Sequence, residues 1–251
     1  MNKIYKFFER LSRLFRCLIS NKYKLNHKYQ NKNQVTNAEI ILNHLKIKNY
    51  NPEYILDVGC GYGQWTKKLL KFYPLAKYFL FDADKNNVKK LDSLKKKFNN
   101  INYKICLLSD NNAKYKFFNM GYGSSIFEEQ TSHERNVEEI FSSTLYQELP
   151  FKLKNTSNNL IKIDVQGAEL KILDGLKDSI NLFEVVILEV SLHNYNKNSP
   201  LFNEVIKYMN DRNYRLYDLF DLKRLGDNES FLIQFDCVFV RNDSSLLNVK
   251  F

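Results

Sequence analysis

The chain has 251 residues, of which 44% are hydrophobic and 14% aromatic; this supplies a packed core and excludes a disordered protein. The four cysteines (Cys17, Cys60, Cys106 and Cys237) lie far apart and form no CxxC pair, which argues against a disulfide framework or a cysteine-based zinc site and favours the cytoplasm. The net charge of +10 is concentrated in residues 1–30, which hold eight basic residues and one acid, so the remaining chain is nearly balanced.

The N-terminal segment has the pattern of a basic amphipathic helix. Residues 3–20 place large apolar side chains at helical spacing with lysines and arginines between them. Charges recur too often for a bilayer span or a secretory signal. Two roles for residues 1–20 remain open. One is self-association or docking through the apolar face, and the other is peripheral contact with the inner face of an anionic membrane. Polar residues 21–34 form a linker, so we expect a domain boundary near residue 35.

From about residue 36 the chain alternates helices with short apolar strands. Helices are expected at about 37–47, 63–72, 86–97, from 168, and at about 200–212. Strands are expected at 54–58, 78–81, 102–107, 160–165, 184–190, 214–219 and 235–240. This alternation predicts a doubly wound α/β domain with a seven-stranded, mainly parallel sheet. No helix separates the last two strands, so we expect the last to be antiparallel; residues 109–152 are expected to be an irregular insertion.

A glycine-rich turn follows the first strand, with Gly59, Gly61 and Gly63 after Asp57. Glycine is needed where the backbone turns tightly and approaches a ligand closely. A dinucleotide fingerprint would require its third glycine at position 64, where Gln64 stands. An acid before the glycines repels phosphate and attracts an ammonium group, so the motif predicts a cofactor with a cationic amino acid end, such as S-adenosylmethionine.

Polar residues at the ends of the next two strands extend this pattern. Asp82 is expected to bind a ribose diol, with Asp84 as a weaker candidate. Ser109 and Asp110 are expected to bind the adenine edge. Any one of these features is also compatible with a purely structural turn. Their order at successive strand ends favours a cofactor site.

Residues 160–170 read LIKIDVQGAEL, which resembles the signature segment of the FkbM family of methyltransferases. Segments 186–190 (VILEV) and 236–241 (DCVFVR) are similar to later strands of that family, and the resemblance covers about residues 36–243. It implies a class I methyltransferase fold, S-adenosylmethionine as methyl donor, and O-methylation, often of sugar hydroxyls in surface glycans or secondary metabolites. One departure is Tyr146, where family members commonly have aspartate.

Methyl transfer to a hydroxyl needs a base near the methyl group. Asp164 is the first choice, followed by His193 and Glu189. Other roles remain open: a helix cap for Asp164, a plain loop position for His193, and a Mg²⁺ site shared by Asp164 and Glu189, although no metal is predicted.

The expected partner is a small-molecule or glycan acceptor. Two alternatives are a non-catalytic scaffold in a membrane-associated glycan assembly complex and a nucleic-acid methyltransferase. The second is disfavoured because the basic charge lies in the terminal helix and no NPPY-like base-flipping motif is present, so no nucleic-acid partner is predicted.

Overall fold

The computed structural model describes residues 37–121, 123–130, 134–150, 153, 156, 158–194, 196–225 and 227–248. The predicted N-terminal helix and the whole predicted linker lie outside the described residues. The described residues form two sheets, one of seven strands and one of three. Among the described helices, none is long and apolar enough to cross a membrane.

The seven-stranded sheet has the order β3-β2-β1-β7-β8-β10-β9. Its strands are β1 (Tyr54–Val58), β2 (Lys77–Asp82), β3 (Ile101–Ile105), β7 (Asn159–Ile163), β8 (Phe183–Ser191), β9 (Tyr214–Leu225) and β10 (Phe231–Arg241). Strands β1, β2, β3, β7 and β8 are parallel, whereas β10 runs antiparallel to both of its neighbours. The predicted seven-stranded doubly wound sheet with an antiparallel last strand is therefore confirmed.

Helices follow the strands because the apolar central strands must be covered on both faces. They are α1 (Ala38–Ile47), α2 (Gln64–Phe72), α3 (Val88–Lys97), α4 (Leu145–Glu148), α5 (Glu169–Asp174) and α6 (Phe202–Asp211). All five residues of β1 and of β7 are buried, and the core continues through β8 and the middle of β10. The predicted elements lie within a few residues of these bounds, apart from β9 and β10, which extend beyond the predicted ends.

The insertion is more regular than expected. It contains β5 (Lys114–Asn119) and β6 (Asn136–Thr144), which join β4 (Leu107–Ser109) in a three-stranded sheet of order β4-β6-β5. The expectation of an irregular stretch over residues 109–152 is thus wrong for these strands. Most side chains of β6 are exposed or half-buried, so buried and exposed positions do not alternate clearly along the strand. The sequence therefore shows little of the apolar–polar alternation by which a strand is recognised.

Candidate active site

A cavity of about 550 Å³ opens at the carboxyl ends of the parallel strands. In a doubly wound sheet this is where ligands bind, beside the point at which the strand order reverses, here between β1 and β7. The volume lies within the usual range for a small-molecule site. One half of the lining, termed the β1–β2 half, includes Asp57, Gly59, Gly61, Trp65, Asp82, Asp84, Cys106 and Leu108. The other, the β7–β10 half, includes Lys162, Asp164, Gln166, Asp221, Lys223, Gln234 and Asp236.

The predicted glycine turn forms the floor of the β1–β2 half. Gly59 and Gly61 have φ angles of +74° and +52°, a region that favours glycine. A Cβ atom on Gly59 would lie 1.9 Å from the backbone oxygen of Asp164, so the turn after β1 contacts the turn after β7 directly. A Cβ atom on Gly61 would meet no atom within 4 Å among the described residues, because this position faces the open cavity.

Asp57 lies at the base of the cavity and is 1% exposed. Its Oδ2 accepts a 2.5 Å hydrogen bond from Thr66 Oγ1. Burial raises the pKa of Asp57, and the nearby Lys162 ammonium opposes that rise. Asp57 and Lys162 are paired in register on neighbouring parallel strands, so both side chains project from the same face of the sheet.

Asp82 is held in place by the glycine turn and by its own loop. Its Oδ2 accepts a hydrogen bond from the Gly61 amide at 2.6 Å, and its Oδ1 accepts one from the Asp84 amide at 2.8 Å. Burial raises the pKa of Asp82 to about 6, although these hydrogen bonds favour the charged form. The carboxylate is therefore fixed in orientation at the cavity wall.

A buried lysine organises the β7–β10 half. Lys162 is 3% exposed and forms a 2.6 Å ion pair with Asp164 Oδ2. Burial lowers the pKa of Lys162, but the carboxylates of Asp164, Asp236 and Asp57 outweigh that effect and raise it above its ordinary value. Lys162 is therefore charged and partly neutralises three acids.

Asp164 is engaged on both oxygens. Besides the ion pair with Lys162, its Oδ1 accepts a 3.0 Å hydrogen bond from Gln166 Nε2. Burial raises the pKa of Asp164, but the Lys162 and Lys223 ammonium groups outweigh burial and leave it below its usual value. Asp164 does not cap the following helix, which begins at Glu169 after Ala168 and has no side-chain cap.

Glu189 lies behind Asp164 and does not line the cavity. It is 4% exposed, pairs with Lys223 and accepts a hydrogen bond from Gln166. Burial and the Asp164 charge raise the pKa of Glu189. Its contacts make it a support for Gln166 and Lys223, both of which reach the cavity surface.

Several other predicted site residues lie away from the cavity. His193 is exposed and stacks on the Phe231 ring at a centroid distance of 4.4 Å. Ser109 is fully buried and donates to Asp110, which pairs with Lys171 on α5.

Gly63 and Tyr146 also do not line the cavity. Gly63 faces the Leu94 side chain, which a Cβ atom would approach to 2.5 Å, so this glycine serves the packing of α2. Tyr146, at the position where the family commonly has aspartate, is 41% exposed on α4.

The structure brings residues to the cavity that sequence analysis did not select. Asp236 Oδ1 and Trp65 Nε1 are buried polar atoms that have no hydrogen-bond partner among the described residues, and both side chains line the cavity. The sequence feature that could have identified Asp236 is an acid inside an otherwise apolar predicted strand. Gln166 and Lys223 gave no comparable signal.

The residues do not resemble a metal centre. No group of three or more His, Cys, Asp or Glu side chains that could hold a metal ion occurs in the described part of the chain. The acids of the β7–β10 half instead surround the ammonium groups of Lys162 and Lys223.

The residues do fit S-adenosylmethionine. Three acids line the β1–β2 half, the buried Asp57 and Asp84 and the half-buried Asp82, and they favour a cationic ligand there. Burial without compensation would be costly for these acids, so a bound cation would stabilise them. The β1–β2 half also offers an oriented carboxylate, Asp82, and a glycine turn open to a ligand.

Comparisons with solved structures give weak similarities. A methyltransferase FkbM from Methylobacillus flagellatus KT is 13% identical with a TM-score of 0.47, covering 75% of this chain and 43% of that one. The precorrin-6y C5,15-methyltransferase of Geobacter metallireducens GS-15 is 12% identical with a TM-score of 0.46, covering 84% of this chain and 92% of that one. The 1,6-didemethyltoxoflavin-N1-methyltransferase of Burkholderia thailandensis is 11% identical with a TM-score of 0.42, covering 94% and 90%.

The curated proteins include no match to the chain. The family model of the methyltransferase FkbM domain, however, matches residues 57–216, from the acid before the glycine turn into β9. This segment spans more than half of the chain and contains the glycine turn, Asp82 and the 160–170 signature. The chain therefore belongs to the FkbM family of S-adenosylmethionine-dependent methyltransferases.

Proposed function

We propose that the chain transfers a methyl group to a hydroxyl of a sugar-type acceptor, in a surface glycan or a related metabolite. The observation that carries this proposal is the chemistry of the β7–β10 half of the cavity. It presents carboxylates and carboxamides from several elements: Asp164, Gln166, Asp221, Gln234 and Asp236. Sugar hydroxyls donate to carboxylates and exchange hydrogen bonds with carboxamides, so this lining suits a polyhydroxylated acceptor.

The insertion supports the same proposal through the residues that it adds to the cavity lining. It contributes Phe117, Met120, Ser125, Ile126 and Glu129 to the lining. Glu129 is buried and pairs with Arg135 at 3.3 Å. Phe117, Met120 and Ile126 add apolar surface to this polar lining. Such a mixture suits a sugar ring, which has apolar C–H faces and a polar edge, and apolar side chains help to exclude water from the reaction.

The β1–β2 half would hold the methyl donor. Asp57 would attract the ammonium of the methionine end, and Asp82 would accept hydrogen bonds from the ribose hydroxyls. Trp65 Nε1, which has no partner among the residues that the structure describes, would donate to the methionine carboxylate. The open face at Gly61 leaves room for the donor to approach the backbone.

The bound donor supplies an electrophilic methyl group on a sulfonium. The protein's contribution is alignment of the acceptor hydroxyl with that methyl and exclusion of water. We assign Asp164 to orienting the acceptor, because it lines the cavity and is fixed by Lys162 and Gln166. Glu189 acts through Gln166, and His193 receives no role in this scheme.

The acidic lining argues against a nucleic-acid acceptor. Phosphates would be repelled by Asp164, Asp221 and Asp236, since binding of nucleic acid depends on cationic surfaces. Asp236 lines the cavity, and its buried Oδ1 has no hydrogen-bond partner in the described part of the chain; a purely structural scaffold would have no use for such an oxygen, which argues against the non-catalytic alternative.

Calorimetric titration with S-adenosylmethionine tests the cofactor half. We expect wild type to bind, and Asp57→Asn and Asp82→Asn each to lose about tenfold or more in affinity, because hydrogen bonds to charged groups contribute about 1.5–3 kcal/mol. Asp92→Asn, an exposed acid on α3, is the matched control and should bind as wild type does.

Transfer of a radiolabelled methyl group tests the acceptor class. Nucleotide sugars, methyl glycosides and isolated cell-surface glycans would be incubated with the protein and labelled donor, beside RNA and DNA. We expect label in a base-stable methyl ether on a sugar. Label in nucleic acid only, or in none of the sugars despite donor binding, would refute the proposed acceptor.

A further inference from the structure

Asp236 occupies a special position created by the antiparallel last strand. Because β10 runs against β8, its first half lies at the carboxyl edge of the parallel strands, where the cavity opens. Asp236 is paired in register with Glu189 on β8 and with Phe220 on β9. Its side chain is 7% exposed and lines the β7–β10 half.

The Oδ1 atom of Asp236 is buried and has no hydrogen-bond partner among the described residues. Buried polar atoms in folded proteins are almost always paired, and an unpaired charged one is especially costly. The cost is explained if a ligand group supplies the missing hydrogen bond. A group that donates to a carboxylate, such as a hydroxyl, would do so.

Three other acids of the cavity lining, Asp57, Asp82 and Asp164, already accept hydrogen bonds from the protein. Thr66 donates to Asp57, backbone amides donate to Asp82, and Lys162 and Gln166 bind Asp164. Each of these carboxylates therefore has at least one partner in the protein, whereas Asp236 Oδ1 has none among the described residues. Asp164 is therefore suited to orienting the acceptor, whereas Asp236 is available to accept a proton.

The charged groups around Asp236 come from all the neighbouring strands. They are Lys162 and Asp164 from the β7 region, Glu189 on β8, and Asp221 and Lys223 on β9. Burial raises the pKa of Asp236 to about 6; the lysines oppose the rise, and Asp164 and Asp221 add to it. Such a carboxylate is ionised at neutral pH and is a stronger base than an ordinary aspartate.

We propose that Asp236 binds the acceptor hydroxyl through Oδ1 and removes its proton during methyl transfer. This inference rests on the proposed function. The bond between the hydroxyl oxygen and the methyl carbon forms while the sulfur–methyl bond breaks. The electron pair of the broken bond stays on sulfur, which becomes a neutral thioether, and the hydroxyl proton moves to the Asp236 carboxylate. Atoms and charge balance without a further reactant.

The test compares Asp236→Asn, Asp236→Glu and the surface control Asp211→Asn in the full-length protein. Asparagine keeps the size of the side chain but cannot take a proton. Asp211 lies on α6, where it pairs with Lys207 in solvent. The probes are labelled S-adenosylmethionine and a panel of methyl α-glycosides (glucoside, mannoside, rhamnoside and fucoside) with UDP-glucose and GDP-mannose.

For any probe that wild type methylates, we expect Asp236→Asn to lower kcat/KM about 100-fold or more, the scale of general-base catalysis. Donor affinity should stay within about threefold, since Asp236 lies in the β7–β10 half of the cavity. The wild-type rate should rise with pH through about 6, and this limb should disappear in Asp236→Asn. Asp236→Glu should retain the limb and exceed the asparagine variant in rate, and Asp211→Asn should match wild type.

Two results would overturn the inference in distinguishable ways. If wild type methylates a probe and Asp236→Asn does so with an unchanged pH profile, Asp236 is not the base although the proposed function stands. If wild type binds the donor but methylates no sugar hydroxyl, the proposed function fails and the inference fails with it.

Discussion

The two glycines at the cavity floor give a matched pair of alanine substitutions. Both residues have a positive φ angle, so alanine costs about 1–2 kcal/mol of backbone strain at either position. They differ in their surroundings. The added methyl group at Gly59 would lie 1.9 Å from the Asp164 backbone oxygen, whereas at Gly61 it would meet no described atom within 4 Å.

The steric conflict at Gly59 adds to the strain. Overpacking in a rigid region costs a further 1–3 kcal/mol or so, because the turns after β1 and β7 must move apart. We therefore expect Gly59→Ala to lower the free energy of unfolding by about 2–5 kcal/mol, and Gly61→Ala by about 1–2 kcal/mol. The methyl group at Gly61 would instead occupy space in the cavity and weaken donor binding.

Urea unfolding and calorimetric titration with S-adenosylmethionine separate the two effects. We expect Gly59→Ala to be the less stable variant. Gly61→Ala should stay folded and bind the donor at least tenfold more weakly than wild type. Equal losses of stability in the two variants, or wild-type donor affinity in Gly61→Ala, would refute this account of the turn.

Three further predictions concern buried polar groups. Lys162→Met should lower the free energy of unfolding by about 3–5 kcal/mol at pH 8, because it removes the ammonium group that neutralises the neighbouring carboxylates. Urea unfolding would measure this loss. A loss below about 1 kcal/mol would contradict the assigned ion pairing. Burial raises the pKa of Glu169 to about 7, so the folded state retains a proton that the unfolded chain releases. The stability that this group contributes is therefore lost as pH rises from about 4.5 to 7. In urea unfolding across that window, the free energy of unfolding of wild type should fall by up to about 3 kcal/mol more than that of Glu169→Gln. An equal dependence of stability on pH in the two proteins would count against the pKa shift. Trp65→Phe should weaken S-adenosylmethionine binding about fivefold to tenfold by calorimetry without destabilising the fold, because it removes one donor that has no partner among the described residues. Unchanged affinity would remove Trp65 from the site.

Much of the fold could be predicted because its signals are local. The apolar run of β1, the glycines after it and the alternation with helices all lie within short windows of sequence. The antiparallel placement of β10 followed from the lack of a helix before it. The strands of the insertion escaped prediction because their exposed faces carry little alternation.

The predicted site residues divide in a similar way. Asp57 and Asp82 could be selected because each stands beside a recognisable strand end, and both line the cavity. His193 and Asp110 had equally plausible positions, but His193 turns toward Phe231 and Asp110 pairs with Lys171. Which way a loop side chain points depends on contacts with distant segments, and the sequence does not encode those contacts locally.

The sequence by itself determined the class of fold, the family and the edge of the sheet where chemistry takes place, because repeated strand and helix patterns and a contiguous signature are sufficient for these. Only the tertiary structure decided which acids have a free oxygen. Lys162 and Gln166 engage Asp164, whereas Asp236, 72 residues further along the chain, reaches the same cavity with Oδ1 unpaired among the described residues. Hydrogen bonding between such distant segments arises only when the sheet has assembled, so it leaves no pattern in the chain.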